Sequence, residues 1–489
     1  MKLLSVLLLL ATAATAQMRM VTLPSKSPLV TFRIVFLAGS ATDPVDKPGT
    51  AYLTAQMLAH AGTRQLTYRE LLDALFPMAA SVNVQVDKEM VTFSGATHID
   101  NLERYYMLMR SMLLDPGWRE EDFTRVRDDA INFLRVNLRA NNDEELGKEV
   151  LEEAIFAGTP YGHYSVGTVS SLQHITLADV KQFYQNQFSQ SNLILGIAGG
   201  FPSAFVDRVK KDFRSLPAGA GFRPREEPPA LIQHNRALIV DKDTRSVAFS
   251  LGFPTLGTRK NPDYPALLLA ASYLGQHRSS NGLLYDRMRE KRGLNYGDYA
   301  YIEYFPRGMF QFEPSPNLAR NYQTFQVWIR PVEPPTAKFA LRLALYELNQ
   351  LYEKGIPEEG FENTRNFLTK NVNLLTRTKS GELGYAIDSL YYGIPEYGFY
   401  LKSHLAKLKR EDVNRVIQRY LRPDRLVIVA VTKNGEDLKA QLTSDAPSPM
   451  KYNSPKPADI TEEDKIVEKY PLNLRPEDVT VVPVDKVFE

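Results

Sequence analysis

Histidine is the side chain best suited to hold a metal or move a proton at neutral pH. This sequence has seven: His60, His98, His163, His174, His234, His277 and His404. A zinc site built on one helix wants two imidazoles at i and i+4, where they share a face. No two of the seven are so spaced. There is no cysteine, which removes thiolate ligands, thiol nucleophiles and disulfides. The densest acidic run is Asp143-Glu144-Glu145 with Glu149, Glu152 and Glu153; it reads as the solvated face of a helix. No glycine-rich phosphate-binding fingerprint is present. Ser279-Ser280-Asn281-Gly282 reads as a polar loop before a helix.

The elements that would position a site come in two sets, which points to an internal repeat. Gly117-Trp118-Arg119-Glu120-Glu121-Asp122-Phe123 matches Gly355-Ile356-Pro357-Glu358-Glu359-Gly360-Phe361, 238 residues on, with Arg127 and Arg365 in register. Leu177-Ala178-Asp179-Val180 opens a helix that leads into an apolar strand, Asn192–Gly196. Lys409–Val413 does the same, ending in Arg425–Val429, 233 residues on. Short apolar strands, Phe32–Phe36 and Ala248–Phe253, open the two halves. Each half therefore reads as strand, helices, strands, long helices, strand. The fold class is α+β: two homologous α/β-sandwich halves, with helices packed on mainly antiparallel sheets. The expected domains are 17–222 and 230–445, joined through the Pro/Gly-rich stretch Pro217–Pro229. Residues 446–489 read as a tail that docks on the body, with a helix starting near Thr461 and a short strand at Val479–Val482.

A length of 489 residues suits about two to four domains. Balanced charge, 59 basic against 57 acidic residues, gives no electrostatic case for binding nucleic acid. Residues 1–16 have a lysine, an apolar stretch and a small-residue end at Ala14-Thr15-Ala16. That is the pattern of a secretory signal peptide. The apolar stretch is too short to span a membrane, and no later run is long enough. Export to a bacterial periplasm as a soluble protein is the expectation.

Gly49-Thr50-Ala51-Tyr52-Leu53-Thr54-Ala55-Gln56-Met57-Leu58 resembles the first active-site helix of the insulinase/pitrilysin family of zinc metallopeptidases, which includes the mitochondrial processing peptidases. The resemblance covers nearly the whole mature chain, including Pro160-Tyr161-Gly162-His163 and Gly167. In that family the helix carries H-x-x-E-H: two histidines bind zinc and the glutamate activates its water. A glutamate on a later helix is the third ligand. Here Tyr52 and Gln56 stand for the histidines and Ala55 for the base. Ile131-Asn132-Phe133-Leu134, where the third ligand belongs, has no acid. The metal motif is degenerate, so no cofactor is expected in this chain.

The second half keeps more. Leu284-Tyr285-Asp286-Arg287-Met288-Arg289-Glu290-Lys291-Arg292-Gly293-Leu294-Asn295-Tyr296 is similar to the family's L-R-E-K-x-G-L-x-Y block. The resemblance implies that Arg289, near a helix end, and Tyr296, on the following strand, contact substrate near the scissile carbonyl. A guanidinium and a phenol suit a developing oxyanion. The plainer alternative is a surface ion pair for Arg289 and sheet packing for Tyr296. The family implies a non-catalytic subunit that pairs as a heterodimer with a homologous zinc-bearing chain around an unfolded peptide. A structural or peptide-binding protein of the same fold is the alternative.

Overall fold

The computed structural model describes residues 18–221, 227–308 and 310–489. The leader read at residues 1–16 lies outside the described residues, as does the middle of the join, 222–226. Five strands form one sheet: β1 (Arg19–Pro24), β2 (Leu29–Phe36), β3 (Asn83–Val86), β4 (Val91–His98) and β5 (Leu193–Gly199), in the order β1-β5-β2-β4-β3. Six form the other: β6 (Arg236–Asp241), β7 (Val247–Thr255), β8 (Asp298–Tyr301), β9 (Gln323–Val332), β10 (Val427–Thr432) and β11 (Val479–Pro483), in the order β11-β6-β10-β7-β9-β8. Without β11 the two orders correspond strand for strand. β1 is parallel to β5, and β6 to β10 and β11; all other pairings are antiparallel.

Each half thus begins one strand earlier than its sequence pattern suggests. β1 and β6 precede the strands read at Phe32 and Ala248. Both complete their sheet by parallel pairing with a strand more than 170 residues away, and no local pattern reports such a partner. The tail helix spans Ala458–Val467, three residues earlier than read, behind Pro457.

β5 and β10 are buried along their whole length. Their unbroken apolar sequences, LILGIAG and VIVAVT, suit strands covered on both faces. One face of the first sheet packs against helices Leu102–Leu114, Leu177–Gln187 and Ser203–Phe213 through Phe32, Tyr105, Phe183 and Phe205. The corresponding face of the second packs against Tyr264–Gly275, Ala337–Lys354 and Arg410–Tyr420. The remaining faces are covered by exchange. Helix Asp143–Ile155 of the first half crosses β7 and β10 of the second. Helix Lys379–Tyr392 of the second half lays Leu383 and Ile387 on Val35, Ile194 and Ala198 of the first.

This exchange corrects the reading of the acidic run. Glu144, Glu145, Glu149 and Glu152 are all buried, because their helix is sandwiched against the other half rather than facing water. The opposite half answers them. Arg330 Nε lies 3.2 Å from Glu144, the Arg307 N–H donates to Glu145 at 2.9 Å, and Gln326 donates to Glu152 at 2.7 Å. The turn Asp87-Lys88-Glu89 between β3 and β4 is also buried. Fully buried Arg320 donates to Asp87 through Nε at 2.7 Å and through Nη2, and to Glu152 through Nη1 at 2.9 Å. Glu89 accepts from the Asn321 N–H at 2.8 Å and from the hydroxyls of Tyr161 and Tyr391. Lys88 donates to the His163 carbonyl.

The tail closes the structure. β11 extends the second sheet beside β6. The last two residues then cross to the first half. Phe488 packs on Tyr164, and its carbonyl accepts the Val169 N–H at 2.9 Å. The Glu489 side chain meets Arg139 at 2.7 Å, and its main-chain oxygen accepts the Ser170 N–H at 2.8 Å.

Two outcomes are expected. Arg320→Met leaves two buried carboxylates without their cation and should cost about 3–5 kcal/mol in urea unfolding; adding Asp87→Asn and Glu152→Gln should recover part of that loss. Phe488→Ala should undock the terminus, so that in hydrogen exchange the Val169 and Ser170 amides lose protection while those of β2 and β5 keep theirs.

Candidate functional site

Helix Thr50–His60 starts where the chain turns sharply: Gly49 has φ 96°, a left-handed conformation that favours glycine. Its first turn is held by a carboxylate. Asp43 accepts the N–H groups of Gly49 at 2.7 Å and Ala51 at 2.6 Å. Negative charge at a helix N-terminus is stabilising. His163 Nε2 sits 3.1 Å from the same Asp43.

The helix points Tyr52 and Gln56, one turn apart, into a pocket of ≈570 Å³ between the two halves. Phe133 faces the same space from the start of the π-helical segment Phe133–Ala140, which continues helix Glu120–Asn132. Ala55 faces away and is fully buried in the first-half core. So the structure brings together Tyr52, Gln56 and Phe133, one of the four residues read around the third-ligand position. Burial pushes the Tyr52 phenol up to about 12, leaving it neutral at physiological pH. Gln56 turns its amide oxygen to His60 Nδ1 at 2.8 Å, and burial followed by the charge of Arg125 lowers His60. A phenol, an engaged amide, a methyl and a phenyl offer none of the imidazole, thiolate or carboxylate donors zinc takes. The residues do not fit the metal. Among the described residues, no three or more His, Asp or Glu are placed to hold one.

The pocket has a second wall that the sequence reading missed. Glu145 and Glu149 line it from helix Asp143–Ile155, and Tyr304 and Arg307 from the segment after β8. Tyr304 donates to Glu149 at 2.5 Å. Burial pushes the Glu149 carboxyl up to about 8, against the pull of that hydrogen bond. The i, i+4, i+7 stripe Glu145, Glu149, Glu152 was visible in the sequence, and such a stripe marks a single helix face. Nothing nearby in the sequence says what covers that face.

Arg289 and Tyr296 are adjacent in space. Arg289 ends the π-helical segment Tyr285–Glu290, with its guanidinium 4.8 Å from the Tyr285 ring centroid and 5.8 Å from that of Tyr296. It donates to the Tyr285 hydroxyl and, at 3.3 Å, to the Tyr296 carbonyl. Tyr296 is not on a strand. It lies in the bend between Gly293 and β8, with its side chain turned out at 74% exposure. Neither sheet packing nor a strong ion pair accounts for them: the carboxylate nearest Arg289 is its neighbour Glu290, at 3.9 Å. The flanking arginines point the other way. Arg287 meets Glu347 at 2.5 Å, and Arg292 meets Asp464 at 2.8 Å and Glu463 at 2.7 Å. Neither Arg289 nor Tyr296 lines the pocket that Tyr52 and Gln56 line.

Comparison with known proteins places the chain among relatives of one family. Residues 19–168 match the profile described as Insulinase (Peptidase family M16), and residues 174–368 that of the Peptidase M16 inactive domain. The chain is 22% identical over 419 residues to the "Non-peptidase homolog YmxG" of Helicobacter pylori, covering 84% of this chain and 90% of that one. It is 24% identical over 291 residues to the "Uncharacterized zinc protease SCO5738" of Streptomyces coelicolor, covering 58% of this chain and 62% of that one. The crystal structure of a peptidase M16 inactive domain from Pseudomonas fluorescens superposes with a TM-score of 0.74 at 21% identity, over 86% of this chain and 96% of that one. With two profiles of one family matched in succession and that family's architecture in place, the chain belongs to the insulinase family, peptidase family M16, as a member whose sequence carries no H-x-x-E-H motif.

Proposed function

We propose that this chain is the non-catalytic subunit of an exported, two-chain, zinc-dependent peptidase. Residues 1–16 direct it to a bacterial periplasm, and two insulinase-type domains, 17–222 and 230–445, form one half of a chamber around an unfolded peptide. A homologous partner supplies the zinc and the general base in a heterodimer. This chain supplies wall, a limit on substrate size, and the pair Arg289 and Tyr296. A guanidinium and a phenol fixed beside a scissile carbonyl stabilise the oxyanion that develops on attack, an effect that exists only if both groups are held in place beforehand.

The observation that carries this reading is an asymmetry. The metal motif is erased, while the Arg289–Tyr296 block is intact and its side chains are kept available. Arg289 is stacked between two tyrosines rather than spent on an acid, and Tyr296 faces outward. Their absence from the chain's own pocket suits a contact made across an interface. A structural or peptide-binding role with no part in catalysis is the second reading, and the name of the Helicobacter pylori relative favours it.

The test is co-expression with a zinc-motif homologue from a neighbouring gene and assay of peptide hydrolysis. Arg289→Ala and Tyr296→Phe should each lower kcat by about 10²–10³-fold, with the two chains still co-eluting and KM changed far less. Activity unchanged in both variants rejects the split site and leaves the second reading. Elemental analysis should find zinc in the complex and in the partner alone, and none in this chain alone.

A further inference from the structure

Duplication gives the second half its own version of the first-half pocket. Leu268 and Ser272, one turn apart on helix Tyr264–Gly275, face a cavity of ≈230 Å³ as Tyr52 and Gln56 face theirs. Asn371 and Leu375 on helix Glu358–Leu375 line it; they lie 238 residues after Phe133 and Asn137, which line the other pocket. The terminal strand β8 borders this cavity, as the terminal strand β3 borders the first. The two pockets share a wall, since Tyr304, Ser315 and Leu318 face both.

The chemistry of the second cavity differs. Leu268, Ala271, Phe305, Leu318, Phe367 and Leu375 give it apolar walls. Most of its polar groups are already engaged. Arg259 bridges Glu303 at 3.0 Å and Asp388 at 3.1 Å. Ser272 donates to Gln276 at 2.8 Å. Glu313 meets Arg377 at 3.4 Å. The Gln311 carbonyl can only accept, so His277 donates to it from Nε2 at 2.8 Å and accepts from Tyr301 at Nδ1 at 2.7 Å. A charged occupant would find no unpaired counter-charge there and would lose its hydration. An apolar cavity of about 150 Å³ is large enough to take benzene, so this one admits a single aromatic ring. Phe312 and Phe367 stand exposed at its rim, the kind of apolar surface that marks a binding site rather than a solvated wall.

We propose that this second-half pocket takes one aromatic side chain of a peptide lying in the chamber, with Phe305 and Phe367 packing on the ring and the Tyr304–Leu318 wall leading the backbone to the neighbouring pocket. The inference rests on the reading that the chamber holds peptide, but it concerns binding by this chain alone. Rings prefer tilted and edge-on neighbours, which a cavity with two phenylalanines on its walls supplies.

The test uses the intact mature chain and two fluorescent nine-residue Gly/Ser peptides, one with a central Phe and one with Ala. The Phe peptide should bind about tenfold tighter, the scale of burying one ring. Asn371→Trp, at a half-buried position on the rim helix, and Ser272→Phe should each fill the cavity and cut that preference to within about twofold. Folding is checked by thermal midpoint; if Ser272→Phe fails to fold, Asn371→Trp decides alone. A folded Asn371→Trp chain that keeps the preference overturns the proposal. So does a wild-type chain that binds both peptides equally, and that result leaves the split-site reading untouched, because it is read from activity in the complex.

Discussion

The arrangement of the two halves turns on Arg320. Its guanidinium is fully buried, and stripping an ion of water costs several kcal/mol unless partners replace the solvent. Both partners come from the first half: Asp87 on the β3–β4 turn and Glu152 on the exchanged helix. Each of those acids is buried too, so none of the three tolerates separation of the halves. Hydrophobic exchange adds area but little direction, since apolar contacts slide. The ionic cluster adds register: planar guanidinium geometry accepts two carboxylates at fixed angles, and that fixes where helix Asp143–Ile155 lies across β7 and β10. The pocket that Tyr52 and Gln56 line is the space this register leaves between the halves.

The same logic applies to the helix that carries Tyr52 and Gln56. It is held in place by Asp43 at its N-terminus and by packing of Ala51, Ala55 and Leu58. A carboxylate at position 55 would be an unpaired charge in a fully buried place, which is expensive. Alanine removes that cost. The acids of helix Asp143–Ile155 are answered one by one, Glu144 by Arg330, Glu145 by Lys148 and Glu152 by Arg320, and burial raises Glu149.

The repeat was legible because apolar strands and the helix-opening motifs after Gly117 and Gly355 are local signals. That Tyr52 and Gln56 share one helix face was legible because a helix register is fixed once its start is known, and Gly49 marks that start. What the sequence hid has one physical form: a partner far along the chain. Glu144 through Glu152 looked solvated because residues 307, 320, 326 and 330, which cover and pair them, are more than 150 positions away. Asp87-Lys88-Glu89 has the composition of an exposed turn, yet it is the centre of the interface for the same reason. β1 and β6 escaped notice because their pairing strands close the half. Tyr296 was misplaced by a short step. Asn295 folds back on Asp298 and Arg330, which makes a bend where a longer strand seemed to start.

Arg287, Arg289 and Arg292 show how the second half separates structure from availability within six residues. Arg287 and Arg292 reach inward to Glu347, Glu463 and Asp464, two of them on the tail helix. Those pairs fix the π-helical segment Tyr285–Glu290 to the body from both sides of Arg289. Arg289 is then the one of the three with no close carboxylate, Glu290 lying 3.9 Å away, and it is flanked by two aromatic rings. Cation–π contacts at exposed sites are worth about 0.5–1 kcal/mol, enough to bias a rotamer and too little to justify an arginine for stability. A side chain positioned at small energetic gain, by neighbours that do contribute stability, is what a contact reserved for another molecule requires.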